Sequence, residues 1–354
     1  MEKNVLVDFS HLGDFCGHGE IARNYAPLLA QADAPDLHFV FLVPERFVGS
    51  FGDGVDYVRR EHFSEDMRRL PVTIDLWHAT DQQFKHRIRH RGCVQLLTVH
   101  DLNFLFSKTG IHRLRHIFEL KWRVRHSDCV VTISKYVRDD LKHFMNTGSV
   151  PVKVIYNGIA DVASQPRRKP AFVKDEAEKM LITVGRLRER KNLHTLIPMM
   201  RYLPDYHLYI CGNSKSAYAR QLRQMTDDLG LTNVVLAGEI EDAEKYWLYA
   251  HAKALLFPSK FEGFGLPVLE AMRFRCQVFS SRFSCMPEIC DRYATYFDDY
   301  SPEAMASLVR EGTEHWDKDS DFAREMQAYS ESFNYPNYTA HYLSLYRQLL
   351  GIGK

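Results

Sequence analysis

The sequence predicts an α/β protein of two domains, each built on a parallel sheet. The chain has 354 residues, which is more than one hydrophobic core usually supports. In both halves, short apolar runs with the length of buried strands alternate with longer stretches of helical periodicity. This alternation is typical of parallel strands connected by helices. A polar stretch with two prolines, residues 163–179, separates the halves and is predicted to be a linker.

The composition argues against several other classes of protein. The formal net charge is only +1, so nucleic acid is not expected as a partner. No apolar run approaches the ~20 residues that span a bilayer, and residues 1–9 are predicted to form a first strand rather than a signal peptide. The seven cysteines are scattered, with Cys285 and Cys290 as the only close pair. We therefore expect no cysteine-based zinc site and a reduced, cytoplasmic compartment.

Six strands are predicted in the first half, at residues 5–9, 38–43, 76–78, 95–99, 129–133 and 152–155. Ligands of parallel sheets bind at the carboxyl ends of the strands, so the residues that follow each strand are the candidates. Gly17 and Gly19 follow the first strand and are predicted to allow a tight turn before a helix. His100 and Asp101 follow the fourth strand, where a histidine could serve a ligand site or the core.

A strongly basic region extends over residues 85–126. Its two basic runs are residues 85–91 and a predicted helix at 111–126, in which apolar residues recur at helical spacing: Leu114, Ile117, Phe118 and Trp122. The basic residues could simply form solvated helix faces.

The second half repeats the pattern, with strands predicted at residues 180–184, 207–211, 234–237, 254–257 and 277–280. Gly185 follows the first of these strands and opens a segment that carries four basic residues: Arg186, Arg188, Arg190 and Lys191. Gly212 follows the second strand. A last helix is predicted at residues 338–350.

Residues 257–272, FPSKFEGFGLPVLEAM, combine a strand end, a glycine loop and a helix start. Pro267 suits the start of a helix because its missing N–H would be unpaired there in any case. Gly263 and Gly265 therefore lie in a loop at a helix N-terminus, where unpaired backbone N–H groups and the helix dipole favour an anion.

Two carboxylates, Glu262 and Glu270, flank this loop. Carboxylates repel phosphate, so sugar hydroxyls on either side of a pyrophosphate are their predicted partners. The alternative is a solvated helix start with a spare carboxylate. The first interpretation predicts a nucleotide-sugar site.

Glu262 and Glu270, within EGFGLPVLE, resemble the E-x7-E motif of the retaining glycosyltransferases of family 4, the glycosyl transferases of group 1. The resemblance covers nearly the whole chain and implies the GT-B fold, in which two Rossmann-like domains have parallel sheets that face a central cleft. It implies an acceptor domain at residues 1–162, a linker at 163–179, a donor domain at 180–334, and a C-terminal helix at 335–354 that crosses back to the first domain.

The resemblance also implies roles for single residues. Glu262 would hold the transferred sugar and Glu270 the ribose hydroxyls. His100 would lie beside the donor sugar and hydrogen-bond to it and to its developing charge, so His100 and Glu262 are the predicted catalytic residues. Asp101 would meet the acceptor hydroxyl or orient His100.

Arg186 and Lys191 resemble the paired cations that hold the donor pyrophosphate in this family. Departure of a nucleoside diphosphate adds negative charge, which cations and a helix N-terminus can stabilise without a metal. The other implied donor-binding positions are Gly185, Gly212, Gly263, Phe264 and Gly265. A glycine loop with Gly17 and Gly19 would approach the donor phosphate and the acceptor.

The activity implied is metal-independent transfer of a hexose from a nucleoside diphosphate sugar, a co-substrate, to a glycan or lipid-linked acceptor, with no cofactor. Mannose from a guanosine donor and a pathway of surface polysaccharide are preferred. Because many enzymes of the family act on lipid-linked acceptors, the basic region at 85–126 could contact the inner face of the cytoplasmic membrane. The rival functions are a phosphorylase or epimerase of the same fold and a catalytically silent nucleotide-sugar-binding protein.

Overall fold

The computed structural model describes residues 2–14, 16–84, 86, 92–162, 164–174 and 179–352. The chain forms two compact units. The first unit comprises Met1–Ala160 together with Phe333–Lys354, and the second comprises Asp161–Ser332. Each unit contains its own cluster of buried apolar side chains.

The first unit is built on a seven-stranded parallel sheet with the order β3-β2-β1-β4-β5-β6-β7. The strands are β1 (Lys3–Asp8), β2 (Leu37–Val43), β3 (Asp56–Arg59), β4 (Leu76–Ala79), β5 (Val94–Val99), β6 (Cys129–Thr132) and β7 (Val152–Val154). The helices are α1 (Gly17–Ala30), α2 (Phe63–Arg69), α3 (Phe104–Ser107), α4 (Gly110–Arg125) and α5 (Lys135–Met145). The strand order reverses at β1, whose neighbours are β2 and β4, as in a Rossmann sheet.

The second unit has a six-stranded parallel sheet with the order β10-β9-β8-β11-β12-β13. The strands are β8 (Lys179–Val184), β9 (Tyr206–Cys211), β10 (Val234–Gly238), β11 (Ala254–Phe257), β12 (Gln277–Ser281) and β13 (Thr295–Phe297). The helices are α6 (Leu196–Met199), α7 (Ala217–Asp228), α8 (Asp242–His251), α9 (Leu266–Arg273), α10 (Met286–Cys290), α11 (Pro302–His315) and α12 (Asp321–Glu331). Here the strand order reverses at β8, between β9 and β11.

The last helix, α13 (Tyr335–Leu350), belongs to the first unit, as the GT-B resemblance implies. It begins three residues before the predicted start because Asn334 caps it, accepting a hydrogen bond from the backbone N–H of Asn337 at 2.8 Å. Gly351 ends it in the left-handed conformation. Among the residues described, no helix is both long enough and apolar enough to cross a membrane.

All eleven predicted strands are present, with ends that differ from the prediction by at most two residues. The sequence analysis missed β3 and β13, which lie at the outer edges of the two sheets. Each has only one fully buried side chain, Val58 in β3 and Phe297 in β13. An edge strand of this kind lacks the continuous apolar run by which buried parallel strands are predicted.

A buried chain of hydroxyl and imidazole groups joins α13 to the sheet of the first unit. The hydroxyl of Tyr346 lies 2.8 Å from that of Tyr25 on α1 and 2.7 Å from Nδ1 of His78 on β4. The other nitrogen of His78 lies 2.8 Å from the hydroxyl of Thr98, which lies 2.9 Å from that of Tyr342. Burial of these polar groups costs little only while every member keeps its partner.

We predict a graded loss of stability when hydroxyls are removed from this chain. Tyr346→Phe leaves both Tyr25 and His78 without their partner and should lower the free energy of unfolding by about 2 kcal/mol. Tyr25→Phe removes one hydrogen bond, and Tyr346 keeps His78, so about 1 kcal/mol is expected. Urea denaturation measures both variants, and an equal or reversed order would contradict this account of the network.

Candidate active site

The segments that follow β8 and β11 lie side by side at the point where the strand order of the second sheet reverses. Ligands of open parallel sheets bind at this point, outside the carboxyl ends of the strands. A pocket is present here, and its lining includes Gly185, Arg186, Lys191, Phe257 and Ser259. Arg186 is exposed, whereas the Lys191 side chain is only 11% exposed. Two of the predicted donor-binding cations therefore line one pocket.

Glu262 lies next to Lys191 and is buried. One of its carboxylate oxygens is 2.5 Å from Nζ of Lys191 and 2.5 Å from Oγ of Ser259. The other accepts a hydrogen bond from Arg190 at 3.3 Å. The predicted sugar-binding glutamate and the predicted pyrophosphate-binding lysine thus form an ion pair when no ligand is bound.

This ion pair sets the charge of the pocket. Burial alone would raise the pKa of Glu262, but the nearby charges of Lys191 and Arg190 outweigh it and hold that pKa below its ordinary value. Burial lowers the pKa of Lys191, and the Glu262 carboxylate opposes this change. We therefore infer an ionised carboxylate that Lys191 and Arg190 compensate, which leaves the site able to accept an anion at its cations.

Glu270 lies on α9 and is 3% exposed. Its two oxygens accept hydrogen bonds from Nζ of Lys245 at 3.1 Å and from the hydroxyl of Tyr249 at 3.0 Å. Lys245 and Tyr249 are four residues apart on α8, so both point from one face of that helix. A ribose that binds Glu270 would have to share or displace these two donors.

The predicted glycines have structural roles that the geometry makes explicit. A Cβ at Gly212 would lie 2.0 Å from the carbonyl oxygen of Gly185, so these segments can pack together only if residue 212 is glycine. Gly263 is buried, and Gly265 precedes α9 with a φ of 98°. Phe264 is 3% exposed and is therefore packed in the interior of the unit.

His100 directly follows β5 in the first unit and is 7% exposed. Its Nε2 lies 2.7 Å from the carbonyl oxygen of Thr80, and its backbone N–H donates to Gln82 at 3.0 Å. Burial lowers the pKa of His100, so the imidazole is neutral near pH 7. Because Nε2 donates to Thr80, Nδ1 carries the lone pair that could accept a hydrogen bond from a sugar hydroxyl.

Asp101 does not contact this imidazole. One of its carboxylate oxygens accepts a hydrogen bond from the backbone N–H of Asn103 at 2.9 Å, in the turn before α3. The Thr80 carbonyl, rather than Asp101, orients the ring of His100. Of the two roles expected for Asp101, a contact with the acceptor hydroxyl stays a prediction.

Gly17 and Gly19 do not form a turn before the helix, contrary to the expectation, because α1 begins at Gly17. A Cβ at Gly19 would lie 1.9 Å from the backbone carbonyl oxygen of Asp14 and 2.9 Å from that of His11. The glycine therefore lets the segment after β1 fold against the first turn of α1. A role of Gly17 and Gly19 toward donor phosphate or acceptor stays a prediction.

Several residues of the site were not predicted from the sequence: Ser259 and Arg190 beside Glu262, and Lys245 and Tyr249 beside Glu270. Arg190 stands in a run of basic residues in which sequence alone does not separate surface charges from the site. Lys245 and Tyr249 give a weak signal, a spacing of four on one helix. Nothing in the sequence places that helix against Glu270.

Comparison with known families explains why these residues occur together. The family described as glycosyl transferases group 1 matches residues 164–329, and glycosyltransferase family 4 matches residues 21–161. Together the two matches cover most of both units. The chain therefore belongs to the group 1 glycosyltransferases of family 4.

Its relatives include mannosyltransferases of bacterial O-antigen synthesis. The O-antigen chain mannosyltransferase RfbU of Salmonella typhimurium is 32% identical over 221 residues, which are 61% of this chain and 60% of RfbU. The O-antigen chain mannosyltransferase B of Escherichia coli is 22% identical over 294 residues, 77% of this chain and 74% of that protein. The match to the serotype-specific mannosyltransferase WbdA of Escherichia coli covers 28% of that protein. The chain thus matches less than two thirds of RfbU and about a quarter of WbdA.

Solved structures of low sequence identity share the fold. Sucrose-phosphate synthase from Thermosynechococcus elongatus superimposes with a TM-score of 0.73 at 17% identity, over 99% of this chain and 100% of that one. Alr3699/HepE of Anabaena, determined in complex with UDP-glucose, gives a TM-score of 0.71 at 16% identity, over 98% and 100%. With the two Rossmann-like units, these likenesses confirm the GT-B fold.

We predict that Lys191 and Glu262 are coupled in stability. Lys191→Met removes the closest counter-charge of a buried carboxylate and should lower the free energy of unfolding of the second unit by about 3 kcal/mol. Adding Glu262→Gln removes the charge that Lys191 compensated, so the double variant should regain much of this loss. Arg186→Met, at an exposed cation of the same pocket, should change stability by less than about 0.5 kcal/mol. Chemical denaturation of the four proteins measures the cycle, and strictly additive effects would contradict the pair.

Proposed function

We propose that this protein is a retaining glycosyltransferase that transfers mannose from a nucleoside diphosphate sugar to a glycan or lipid-linked acceptor in the synthesis of a surface polysaccharide. The observation that carries the proposal is the pocket of the second unit, where Arg186 and Lys191 lie beside the buried Glu262. Membership of the group 1 family supports sugar transfer. The names of the relatives, mannosyltransferases of O-antigen synthesis, support mannose and the pathway.

The chemistry of the pocket fits the departure of a diphosphate. A guanidinium binds phosphate oxygens through two parallel N–H groups, while an ammonium acts as a point charge. Arg186 is exposed at the rim of the pocket and is placed to meet the diphosphate first. Lys191 is shared: its ammonium faces Glu262, and a diphosphate arriving at the pocket would become its second counter-ion. The charge of the leaving group is then stabilised by residues already in place, without reorganisation.

We further propose that donor capture requires no metal and that the anomeric configuration is retained. The cations of the pocket can supply the charge that a divalent ion would otherwise bring to the diphosphate. Both carboxylates of the E-x7-E motif are committed to lysine, arginine, serine and tyrosine partners. This arrangement supports positioning of hydroxyls rather than nucleophilic attack by a carboxylate. Same-face attack by the acceptor is therefore the route that we propose.

An exposed apolar stripe on α4 supports contact with a membrane. Ile111, Leu114 and Phe118 are 77%, 65% and 72% exposed, and Trp122 continues the stripe at 38%. The opposite face of α4 is buried at Leu120 and Val124. Basic residues flank the stripe: Arg113, Arg115, Lys121 and Arg125.

A helix with this pattern lies in the interface of a bilayer, with its apolar side chains among the acyl chains and its basic ones at anionic head groups. We propose that α4 docks on anionic lipid at the inner face of the cytoplasmic membrane, where a lipid-linked acceptor would be found. Of the basic run at residues 85–91, all except residue 86 lies outside the described residues.

The donor proposal is tested by calorimetry with UDP, GDP, ADP and dTDP. GDP should bind most tightly, and a chelator should not change its affinity. Arg186→Met should weaken binding by about 10-fold or more, because a charge-assisted contact with phosphate is lost. Arg188→Met is the matched control: Arg188 is exposed in the same segment, and its loss should leave binding unchanged.

Failure of all four nucleotides to bind would contradict the proposal and favour the silent-protein alternative. Tight binding of a nucleotide other than GDP would overturn the mannose donor and keep the reaction class. The configuration of the new glycosidic bond, measured by NMR on the product formed with GDP-mannose and a lipid extract as acceptor, tests retention directly.

The membrane proposal is tested by flotation of the purified protein with phospholipid vesicles. The protein should float with vesicles that contain phosphatidylglycerol and much less with neutral ones. The Ile111→Ser/Phe118→Ser double variant should reduce the partition coefficient by about 10-fold or more, because two large side chains no longer enter the bilayer.

Val48→Ser serves as the control, since Val48 is 46% exposed elsewhere in the same unit. Its partition should match that of the unchanged protein. Equal flotation of the double variant and the control would exclude α4 as the docking surface.

A further inference from the structure

A cluster of two histidines and one aspartate lies in the first unit and has no part in the function proposed above. One potential ligand atom each from His11, His18 and Asp81 lies within 4.8 Å of the other two. Nε2 of His11 is already 3.1 Å from Oδ2 of Asp81. The rings of His11 and His18 have centroids 5.3 Å apart. In the described part of the chain, this is the group of three such side chains with the spacing of a metal site.

The cluster forms at the point where the strand order of the first sheet reverses. His11 follows β1 and Asp81 follows β4, and these two strands are neighbours in the sheet. His18 lies in the first turn of α1. The three ligands therefore come from different elements that converge outside the carboxyl ends of the strands, where parallel sheets bind their ligands.

The two side chains that approach most closely are also oriented from behind. Nδ1 of His11 lies 2.7 Å from a carboxylate oxygen of Asp14, so the ring donates there and presents Nε2 toward Asp81. The other carboxylate oxygen of Asp81 accepts a hydrogen bond from the backbone N–H of Gln83 at 3.0 Å. A carboxylate behind a ligating imidazole is the usual outer shell of a metal-bound histidine, because it fixes the tautomer that leaves the ligating nitrogen unprotonated.

The segment that carries His11 is held in place by arginines. Arg60 donates to the backbone carbonyl of Ser10 at 2.9 Å, and Arg23 donates to that of Asp14 at 2.9 Å. Gly19 permits the close approach of this segment to α1, since a Cβ there would overlap the Asp14 carbonyl. These contacts hold His11 near His18 without any contribution from an ion.

From this geometry we propose that His11, His18 and Asp81 form a binding site for a divalent transition-metal ion, Zn²⁺ in the first instance. Two imidazole nitrogens and one carboxylate oxygen are a ligand set typical of zinc with one open position, whereas Mg²⁺ prefers oxygen ligands alone. Tetrahedral ligands at about 2.0–2.1 Å from zinc are about 3.4 Å apart, so the His11–Asp81 pair already has nearly the required spacing and His18 needs only a small shift.

The site is distinct from the diphosphate pocket, which belongs to the second unit. It is one side chain away from His100, whose ring packs edge-on against His18 with a centroid distance of 4.4 Å. An ion bound here would leave its fourth position to water or to an oxygen of a small ligand. The proposal therefore does not rest on the sugar-transfer proposal and can fail or hold independently of it.

The experiment uses the full chain without a histidine tag, stripped with a chelator and dialysed. Titration with Zn²⁺ should give about one ion per chain, and substitution with Co²⁺ should give the visible absorption bands of a site with nitrogen and oxygen ligands. His11→Gln and His18→Gln should each lower zinc affinity by about 10-fold or more, and Asp14→Asn, behind His11, by about 10-fold. Saturating zinc should raise the melting temperature of the unchanged protein but not that of the ligand variants.

His38→Gln is the matched control, because His38 forms the same kind of pair with Asp56 at 2.9 Å but lies outside the cluster. It should bind zinc like the unchanged protein. A ligand variant that does not fold leaves Asp14→Asn, which removes no ligand, as the decisive comparison. Zinc binding that is equal in all variants, or absent from the unchanged protein, would overturn the proposal and leave a simple His11–Asp81 ion pair.

Discussion

The reversal of strand order within each parallel sheet is the constraint on which the candidate sites depend. At β1 and at β8 the chain crosses to one side of the sheet for the next strands and later to the other side, which leaves a crevice outside the carboxyl ends of the two neighbouring strands. The segments after β8 and β11 bring Lys191 and Glu262 together in the second unit. The segments after β1 and β4 bring His11 and Asp81 together in the first. Residues about 70 positions apart in each pair thus become neighbours through the sheet order alone.

Burial of charge is the second constraint, and it determines the state of the site before a ligand binds. Glu262 and Glu270 are nearly inaccessible to water, so each carboxylate needs donors from its own unit. Lys191, Arg190 and Ser259 provide them for Glu262, and Lys245 and Tyr249 provide them for Glu270. A donor substrate therefore does not enter an empty site. Its hydroxyls and phosphates would exchange with contacts that already exist, so differences between the old and new partners, rather than the new contacts alone, determine affinity.

The sequence predicted the strands well because a buried parallel strand is a continuous apolar run, and this signal is local. It missed β3 and β13, since an edge strand with one buried residue lacks that run. The E-x7-E glutamates could be found from a motif, but their partners could not, because Lys245 meets Glu270 only through the packing of α8 against α9. Gly19 was placed in a turn, although its requirement comes from the carbonyl of Asp14, a contact that only the folded segment creates.

The two units use the same topological feature for ligands of opposite charge. In the second unit the crevice presents Arg186 and Lys191, and a glycine loop leads into α9, so the local potential favours an anion. In the first unit the corresponding crevice presents imidazole nitrogens and the carboxylate of Asp81, groups that stabilise a cation. If the diphosphate is neutralised by the cations of the second unit, a metal in the first unit is not needed for that purpose. The composition of the first crevice then requires a separate explanation, and a bound metal ion is the one that its imidazole and carboxylate groups support.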